Sequence, residues 1–70
     1  MDIRRKFGQR VRALRRERGW SQEEFADRSG LHRTYVSSVE RGVRNPTLTV
    51  IERLAAALQL SMAELMGGVD

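Results

Sequence analysis

Five side chains near the middle of this chain are suited to hydrogen-bonding nucleic acid: Arg33, Thr34, Ser37, Ser38 and Arg41. Their spacing places them on the outward face of a short helix at about residues 32–41. Such side chains pair with base edges or with phosphates. Arg33 is predicted to contact O6 and N7 of guanine, with a phosphate as the alternative. Thr34 offers its methyl group to thymine or its hydroxyl to a phosphate, and both serines can meet bases or backbone.

The sequence contains few of the residues that form catalytic or metal-binding sites. The 70 residues include one histidine and no cysteine. His32 has neither a second ligand nor an acidic neighbour, so it is predicted to be a rim residue rather than a ligand or a base. We therefore expect no enzyme, cofactor, metal or small-molecule ligand. No apolar run approaches the ~20 residues that span a bilayer, and no signal peptide is visible. These absences predict a cytoplasmic protein with no membrane partner.

The charge pattern also favours a nucleic-acid partner. The net charge is +4, and residues 1–20 alone carry +6. Twelve of the thirteen basic residues are arginine, whose planar fork binds phosphate or guanine through two parallel hydrogen bonds. A basic face on the first helix can serve as a phosphate-binding surface. The alternative is that it is a solvated helix face without a partner.

The segment that positions the polar set spans residues 21–42. Ser21 and Glu24 have the spacing of a capping box, and Ser29-Gly30 ends the helix that follows. A second helix begins at about residue 32 and stops at Gly42. Two helices joined by so short a glycine turn cross steeply, which is helix-turn-helix geometry. The predicted inward face is Ala26, Gly30, Val36 and Val39.

The remaining pattern completes an all-α protein. Apolar stripes and caps predict helices at about residues 2–18, 22–29, 32–41 and 48–59, and a short fifth helix that ends near Met66. The stripe of the first helix is Ile3, Phe7, Val11 and Leu14, and that of the fourth is Val50, Ile51, Leu54, Ala55 and Leu58. The expected fold is a compact five-helix bundle, with residues 1–70 as one domain. Such a chain is near the lower size limit for a self-sufficient core.

The sequence resembles the Cro/C1 repressor family, also called the XRE family, whose fold is the lambda-repressor-like DNA-binding domain. Glutamine opens the first helix of the motif at Gln22, alanine follows at Ala26 and glycine at Gly30. The stretch ERGVRNPTL from residue 40 is similar to that family as well. The wording HRTYVSSVERG is similar to controller proteins of restriction–modification systems, and the family includes the N-terminal domains of phage repressors. The likeness covers about residues 7–66.

The resemblance implies double-stranded DNA as the partner and the helix at residues 32–41 as the recognition helix. It also implies an ion pair between Arg15 and Glu40 that fixes the angle between the first and third helices. The side chains predicted to contact phosphates are Gln22, Tyr35, Arg41, Arg44 and Asn45. For Tyr35 the alternative is packing against the second helix. His32 replaces the usual Ser, Thr or Asp cap, so we expect a poorly capped recognition helix.

Two acidic residues have a second interpretation from the same family. In some phage repressors an acidic patch on the second helix touches RNA polymerase, and Glu23 and Asp27 stand at the matching positions. The alternative is that acidic residues here favour the positive end of the helix dipole.

The last apolar residues predict a homodimer. Leu60, Met62 and Met66 exceed what a short terminal helix needs for its own docking, and methionines suit adaptable contact surfaces. The alternative is that they complete the monomer core, as predicted for Leu65. The expected function is a homodimeric transcription regulator, bacterial or phage-encoded, that reads a palindromic operator. The rival interpretation is an antitoxin-like or adaptor module that contacts proteins without reading DNA.

Overall fold

The computed structural model describes residues 2–69, and its elements are five α-helices. They are α1 (Ile3–Glu17), α2 (Gln22–Ser29), α3 (Arg33–Glu40), α4 (Leu48–Leu58) and α5 (Met62–Met66). The all-α five-helix prediction is confirmed. Predicted ends differ by one residue where the terminal residue is a cap, as at Asp2, Arg18 and Gln59.

The two predicted capping boxes differ in the structure. At α5 the box is complete: Ser61 Oγ accepts from Glu64 N at 3.0 Å, and Glu64 Oε1 accepts from Ser61 N at 2.8 Å. The second bond lowers the pKa of the Glu64 carboxyl. At α2 only the first half forms, with Ser21 Oγ accepting from Glu24 N at 3.0 Å. The carboxylate of Glu24 instead accepts from Arg28 one turn later, at 2.8 Å, so the predicted box at Ser21 was wrong.

One continuous apolar core lies between the helices. Its buried side chains are Phe7, Val11, Leu14, Phe25, Ala26, Val36, Val39, Leu54, Ala55, Leu58, Leu65 and Val69. The predicted stripes supply most of this set. Ile3, however, is 55% exposed, and Val50 and Ile51 are half-buried. Val69 is 2% exposed, so the chain packs back onto the core after Gly67 and Gly68 rather than leaving it.

The predicted end of α2 at Ser29-Gly30 is confirmed, but the predicted position of Gly30 on the inward face is not. Gly30 is exposed and caps α2 in the left-handed conformation, with φ +72°. The next amide, that of Leu31, donates to the carbonyl of Ala26 at 3.0 Å, which closes the helix end. Glycine is therefore favoured here by its backbone conformation. Gly30 does not belong to the inward face.

Helix α1 approaches the end of α3 very closely at one glycine. A Cβ atom at Gly8 would clash with the carbonyl oxygen of Val39 and lie 2.7 Å from that of Glu40. Gly42, just after α3, is equally close to α1, since a Cβ there would lie 2.6 Å from Cγ of Arg5. These two glycines let α1 brace the C-terminal end of α3, which fixes where its N-terminal end points.

Arg10 of α1 and Arg18, the residue that caps α1, each bind the C-terminal end of another helix. Arg18 donates to the carbonyl of Leu58 at 2.9 Å, and Arg10 donates to the carbonyls of Glu64 and Leu65 at 3.0 and 3.3 Å. A cation at these positions satisfies the last carbonyls and complements the helix dipole. Part of the basic charge of α1 is therefore structural.

Candidate nucleic-acid interface

The N-terminal turn of α3 is presented outward with its polar side chains unused. Arg33 and Thr34 are exposed, and neither side chain joins the ion pairs or side-chain hydrogen bonds formed within residues 2–69. His32 caps the helix, because its Nδ1 accepts from the backbone N–H of Thr34 at 3.2 Å. The helix start therefore has a side-chain cap, which the prediction of a less well capped helix did not foresee, since an imidazole nitrogen can accept this bond.

Ser37 and Ser38 do not share one exposed face as predicted. Ser37 is half-buried, whereas Ser38 is 6% exposed and its hydroxyl donates to the carbonyl of Thr34 at 2.9 Å. The three consecutive residues Ser38, Val39 and Glu40 are all buried. The last turn of α3 is therefore enclosed on several sides. The predicted exposed position of Ser38 is wrong, and its hydroxyl proton is already donated within the helix.

The C-terminal end of α3 is locked by a buried ion pair. Arg15 Nε donates to Glu40 Oε2 at 2.7 Å and Nη2 donates to Oε1 at 3.0 Å, with the side chains 10% and 2% exposed. A third donor of Arg15, Nη1, bonds the carbonyl of Trp20 at 2.7 Å. Gln22 Nε2 also donates to Glu40 Oε1, at 3.1 Å. The network joins α1, α2 and α3, so it ties both helices of the motif to α1.

A basic surface groove runs beside this network. It is lined by Arg12, Arg15, Arg16, Gln22, Ser37, Glu40 and Arg41. Arg12 and Arg16 are exposed and stand four residues apart on α1, which puts both on one face. Sequence reasoning left these two with the general basic face. Their spacing around the predicted ion-pair residue Arg15 was the signal that could have selected them.

The segment after α3 carries three of the predicted phosphate-binding side chains. Arg41, Arg44 and Asn45 are exposed. Arg41 folds back along α3, with Nε at 3.4 Å from the carbonyl of Ser37. Tyr35 is half-buried and packs against the core, and the guanidinium carbon of Arg44 lies 5.1 Å from the centre of its ring.

The acidic residues of α2 divide into two groups. Glu24 pairs with Arg28, which also lies over the Trp20 ring at 4.4 Å. Glu23 and Asp27 are exposed and take part in none of the ion pairs within residues 2–69. They line a groove between α2 and α3 together with Ala26, Leu31, His32 and Arg33.

The apolar residues around α5 are only partly used by the core. Leu65 is fully buried, as predicted. Leu60, Met62 and Met66 are half-buried and pack against the core with part of their surface left open. Met66 also lines a shallow apolar groove with Ile3, Phe7, Pro46 and Ile51, edged by Arg4 and Asn45.

Residues 2–69 contain neither a candidate membrane-spanning helix nor a candidate group of metal ligands. None of their helices has the length and apolar character needed to cross a bilayer. No three His, Cys, Asp or Glu side chains in that range are grouped as metal ligands.

An outward helix end flanked by exposed arginines, on a short helix braced by its neighbours, defines a helix-turn-helix DNA-binding protein. Residues 11–65 match the HTH_3 family model, described as helix-turn-helix. The chain therefore belongs to this helix-turn-helix family, as its resemblance to the XRE family predicted. The family comprises transcription regulators and controllers rather than enzymes.

Individual relatives agree with this membership. Over 70 residues the chain is 47% identical to an uncharacterized HTH-type transcriptional regulator, y4dJ, of Sinorhizobium fredii, and the match covers 100% of this chain and 91% of y4dJ. The restriction–modification controller protein C.AhdI from Aeromonas hydrophila has 53% sequence identity to this chain. Its crystal structure matches with a TM-score of 0.86, over 89% of this chain and 94% of that chain. The biofilm master regulator SinR, solved in complex with DNA, is 36% identical, with a TM-score of 0.80 over 86% and 97% of the two chains. The chain is a DNA-binding transcription regulator.

Proposed function

We propose that this regulator binds as a homodimer to a two-fold symmetric operator and that it acts as a controller of the kind C.AhdI represents. The observation that carries the proposal is the N-terminal turn of α3, where the exposed side chains of Arg33 and Thr34 have no hydrogen-bond or ion-pair partners within residues 2–69. In helix-turn-helix proteins this turn contacts base edges in the major groove. Two such helices related by a two-fold axis read half-sites about 34 Å apart.

Base reading falls to three side chains in this proposal. Arg33 makes the bidentate contact to guanine, which is the commonest specific contact in the major groove. Thr34 and Ser37 supply a methyl group or a hydroxyl on the same side of the helix. Ser38 is left out because its hydroxyl is buried against the carbonyl of Thr34.

Phosphate contacts are assigned to two regions in this proposal. One is the groove that contains Arg12, Arg16 and Gln22, and the other is the loop with Arg44 and Asn45. Tyr35 and Arg41 belong to the same phosphate-binding set. If each subunit neutralises about four phosphates, log K falls with log salt at a slope of about −7. A slope near zero would refute this electrostatic component.

The homodimer is proposed to form through Leu60, Met62 and Met66. Their half-buried state leaves apolar surface open, and Met66 extends it into the groove beside Ile3 and Ile51. Sedimentation equilibrium of Met62→Lys is expected to give a monomer where wild type gives a dimer. Ala63→Lys is the matched control, because Ala63 is exposed on the same helix. Equal dimerisation of both variants would remove this surface from the interface.

Selection from random duplex DNA at ~150 mM salt tests the proposal as a whole. We expect recovery of a two-fold symmetric site with half-sites about 10 base pairs apart. Recovery of an asymmetric site would contradict the dimer. Recovery of nothing above background would instead favour the rival function, a module that contacts proteins.

We further propose that Glu23 and Asp27 contact RNA polymerase when the regulator activates transcription. Both are exposed, stand one turn apart and are outside the ion pairs of residues 2–69, whereas Glu24 is already paired with Arg28. Glu23→Lys is expected to lose activation in a reconstituted transcription assay while retaining operator binding. Glu52→Lys, an exposed site on α4, is the matched charge control. Full activation by Glu23→Lys would contradict this role.

A further inference from the structure

A contact between Tyr35 and Arg44 joins the recognition helix to the loop that follows it. Tyr35 belongs to α3, and Arg44 belongs to the exposed loop that follows it. The guanidinium carbon of Arg44 lies 5.1 Å from the centre of the Tyr35 ring, within the range of a cation–π contact. Neither side chain joins an ion pair within residues 2–69. The ring is therefore the feature that gives a long loop side chain a defined place.

A stacked arginine keeps its ligand-binding capacity. Stacking uses the face of the guanidinium plane, whereas its five N–H donors lie in the plane and stay available for oxygen acceptors. An exposed arginine otherwise samples many rotamers, and that freedom is lost when it binds. A ring that already holds the guanidinium reduces this loss. Tyr35 is itself anchored, since it is half-buried against the core.

We infer that Tyr35 is a positioning residue whose ring holds the Arg44 guanidinium ready to bind a DNA phosphate. This inference rests on the proposed DNA-binding function and gives one of its side chains a specific role. It separates the ring from the hydroxyl. The ring acts through Arg44, so any contact that the hydroxyl makes with DNA is additional.

The test is a double-mutant cycle measured as affinity for a duplex recovered by selection. Arg44→Ala is introduced into three backgrounds: wild type, Tyr35→Phe and Tyr35→Leu. In the first two, Arg44→Ala is expected to weaken binding by the same factor, because phenylalanine keeps the stack. In Tyr35→Leu the factor is expected to be smaller by about two- to fivefold per subunit, the usual strength of an exposed cation–π contact. Equal factors in all three backgrounds would overturn the inference.

Arg41→Ala provides the matched control. Arg41 is exposed and basic but folds along α3, with Nε at 3.4 Å from the carbonyl of Ser37 rather than over the ring. Its penalty is expected to be the same in all three backgrounds. A penalty that shrinks in Tyr35→Leu as much as that of Arg44→Ala would reveal a general disturbance of α3 and overturn the specific role of the ring.

A second measurement uses the wild-type protein without DNA. The ring current of Tyr35 is expected to shift the NMR signals of the Arg44 side chain upfield, and Tyr35→Phe is expected to preserve the shift. Random-coil shifts for Arg44 would overturn the inference even if Tyr35→Leu fails to fold. If the shift is present and the wild type binds no duplex, the DNA-binding proposal fails and the inferred role fails with it. The two failures are thus distinguishable.

Discussion

The two ends of α3 are built on opposite principles. At the C-terminal end, the buried carboxylate of Glu40 accepts hydrogen bonds from Arg15 and Gln22. Gly8 allows α1 to contact the last carbonyls of α3 directly. At the N-terminal end, a single imidazole bond caps the helix, and Arg33 is exposed without an ion-pair partner within residues 2–69. One end satisfies its charges internally, and the other leaves its hydrogen-bonding groups for a ligand.

The difference assigns stability to one end of a short helix and recognition to the other. Eight residues would not hold a helix in isolation, so α3 depends on what its neighbours provide. The network at the C-terminal end joins α3 to α1 and α2. It therefore fixes the direction in which the N-terminal turn of α3 points, although it does not include that turn. Substitutions at the two ends should therefore affect different measurements.

The largest effect is expected from Arg15→Ala. Removing one partner leaves Glu40 as an uncompensated buried charge, which costs about 3–5 kcal/mol of unfolding free energy. Arg16→Ala is the matched control, because the adjacent arginine is exposed and outside the network. Denaturant unfolding followed by circular dichroism measures both. If Arg15→Ala and Arg16→Ala have the same free energy of unfolding, the ion pair does not stabilise the position of α3.

The double variant Arg15→Met/Glu40→Leu sharpens this result. Replacing both partners of a buried pair by apolar residues of similar volume is often neutral or stabilising. We expect this variant to recover most of the stability that Arg15→Ala loses. No recovery would mean that geometry other than the charges, such as the bond from Arg15 to the carbonyl of Trp20, carries the effect.

Gly8→Ala is expected to destabilise the protein by about 1–3 kcal/mol, the usual cost of overpacking. The added Cβ would meet backbone carbonyls of α3 that cannot rotate away. Alanine in a helix is otherwise better than glycine by about 1 kcal/mol, so a stabilised variant would show that α1 and α3 are not in close contact. Gln9→Ala, on the exposed side of the same helix, is the control.

Arg33→Ala should affect the opposite measurements. We expect an unchanged melting temperature, since Arg33 is exposed, and a loss of about 1–3 kcal/mol in operator binding. Arg53→Ala is the matched control: it removes the same charge from an exposed site on α4. Titration of labelled operator measures both variants. Equal losses for the two would mean that Arg33 contributes only net charge.

The smallest effect is expected from His32→Ala. Loss of an N-cap costs about 0.5–2 kcal/mol, and one 3.2 Å bond from an exposed ring places His32 at the low end. His32→Asn is the control, because its side-chain oxygen can accept the same bond. If both variants unfold alike, the imidazole does not act as a cap.

Most of the fold was predictable because its signals are local. Apolar periodicity and cap residues gave all five helices, and the bond from Ser61 to Glu64 was visible as a spacing. The Ser21 box failed because Arg28 competes for Glu24. The imidazole cap was missed because histidine is an uncommon N-cap type.

The features that sequence could not supply are long-range. The bonds from Arg10 and Arg18 to carbonyls of α5 and α4 link residues about 40 or more positions apart. The burial of Ser38 depends on tertiary packing around α3, which periodicity within one helix does not specify. The ion pair of Arg15 with Glu40 joins residues 25 positions apart, and only the family resemblance predicted it.

The most direct test of recognition by the N-terminal turn is the base preference of wild type and Arg33→Ala, selected from the same random duplexes at the same salt. We expect wild type to recover a symmetric site and Arg33→Ala to lose its preference at one base pair in each half-site. All other positions should stay the same. An identical preference at every position would show that the N-terminal turn of α3 does not read sequence through Arg33.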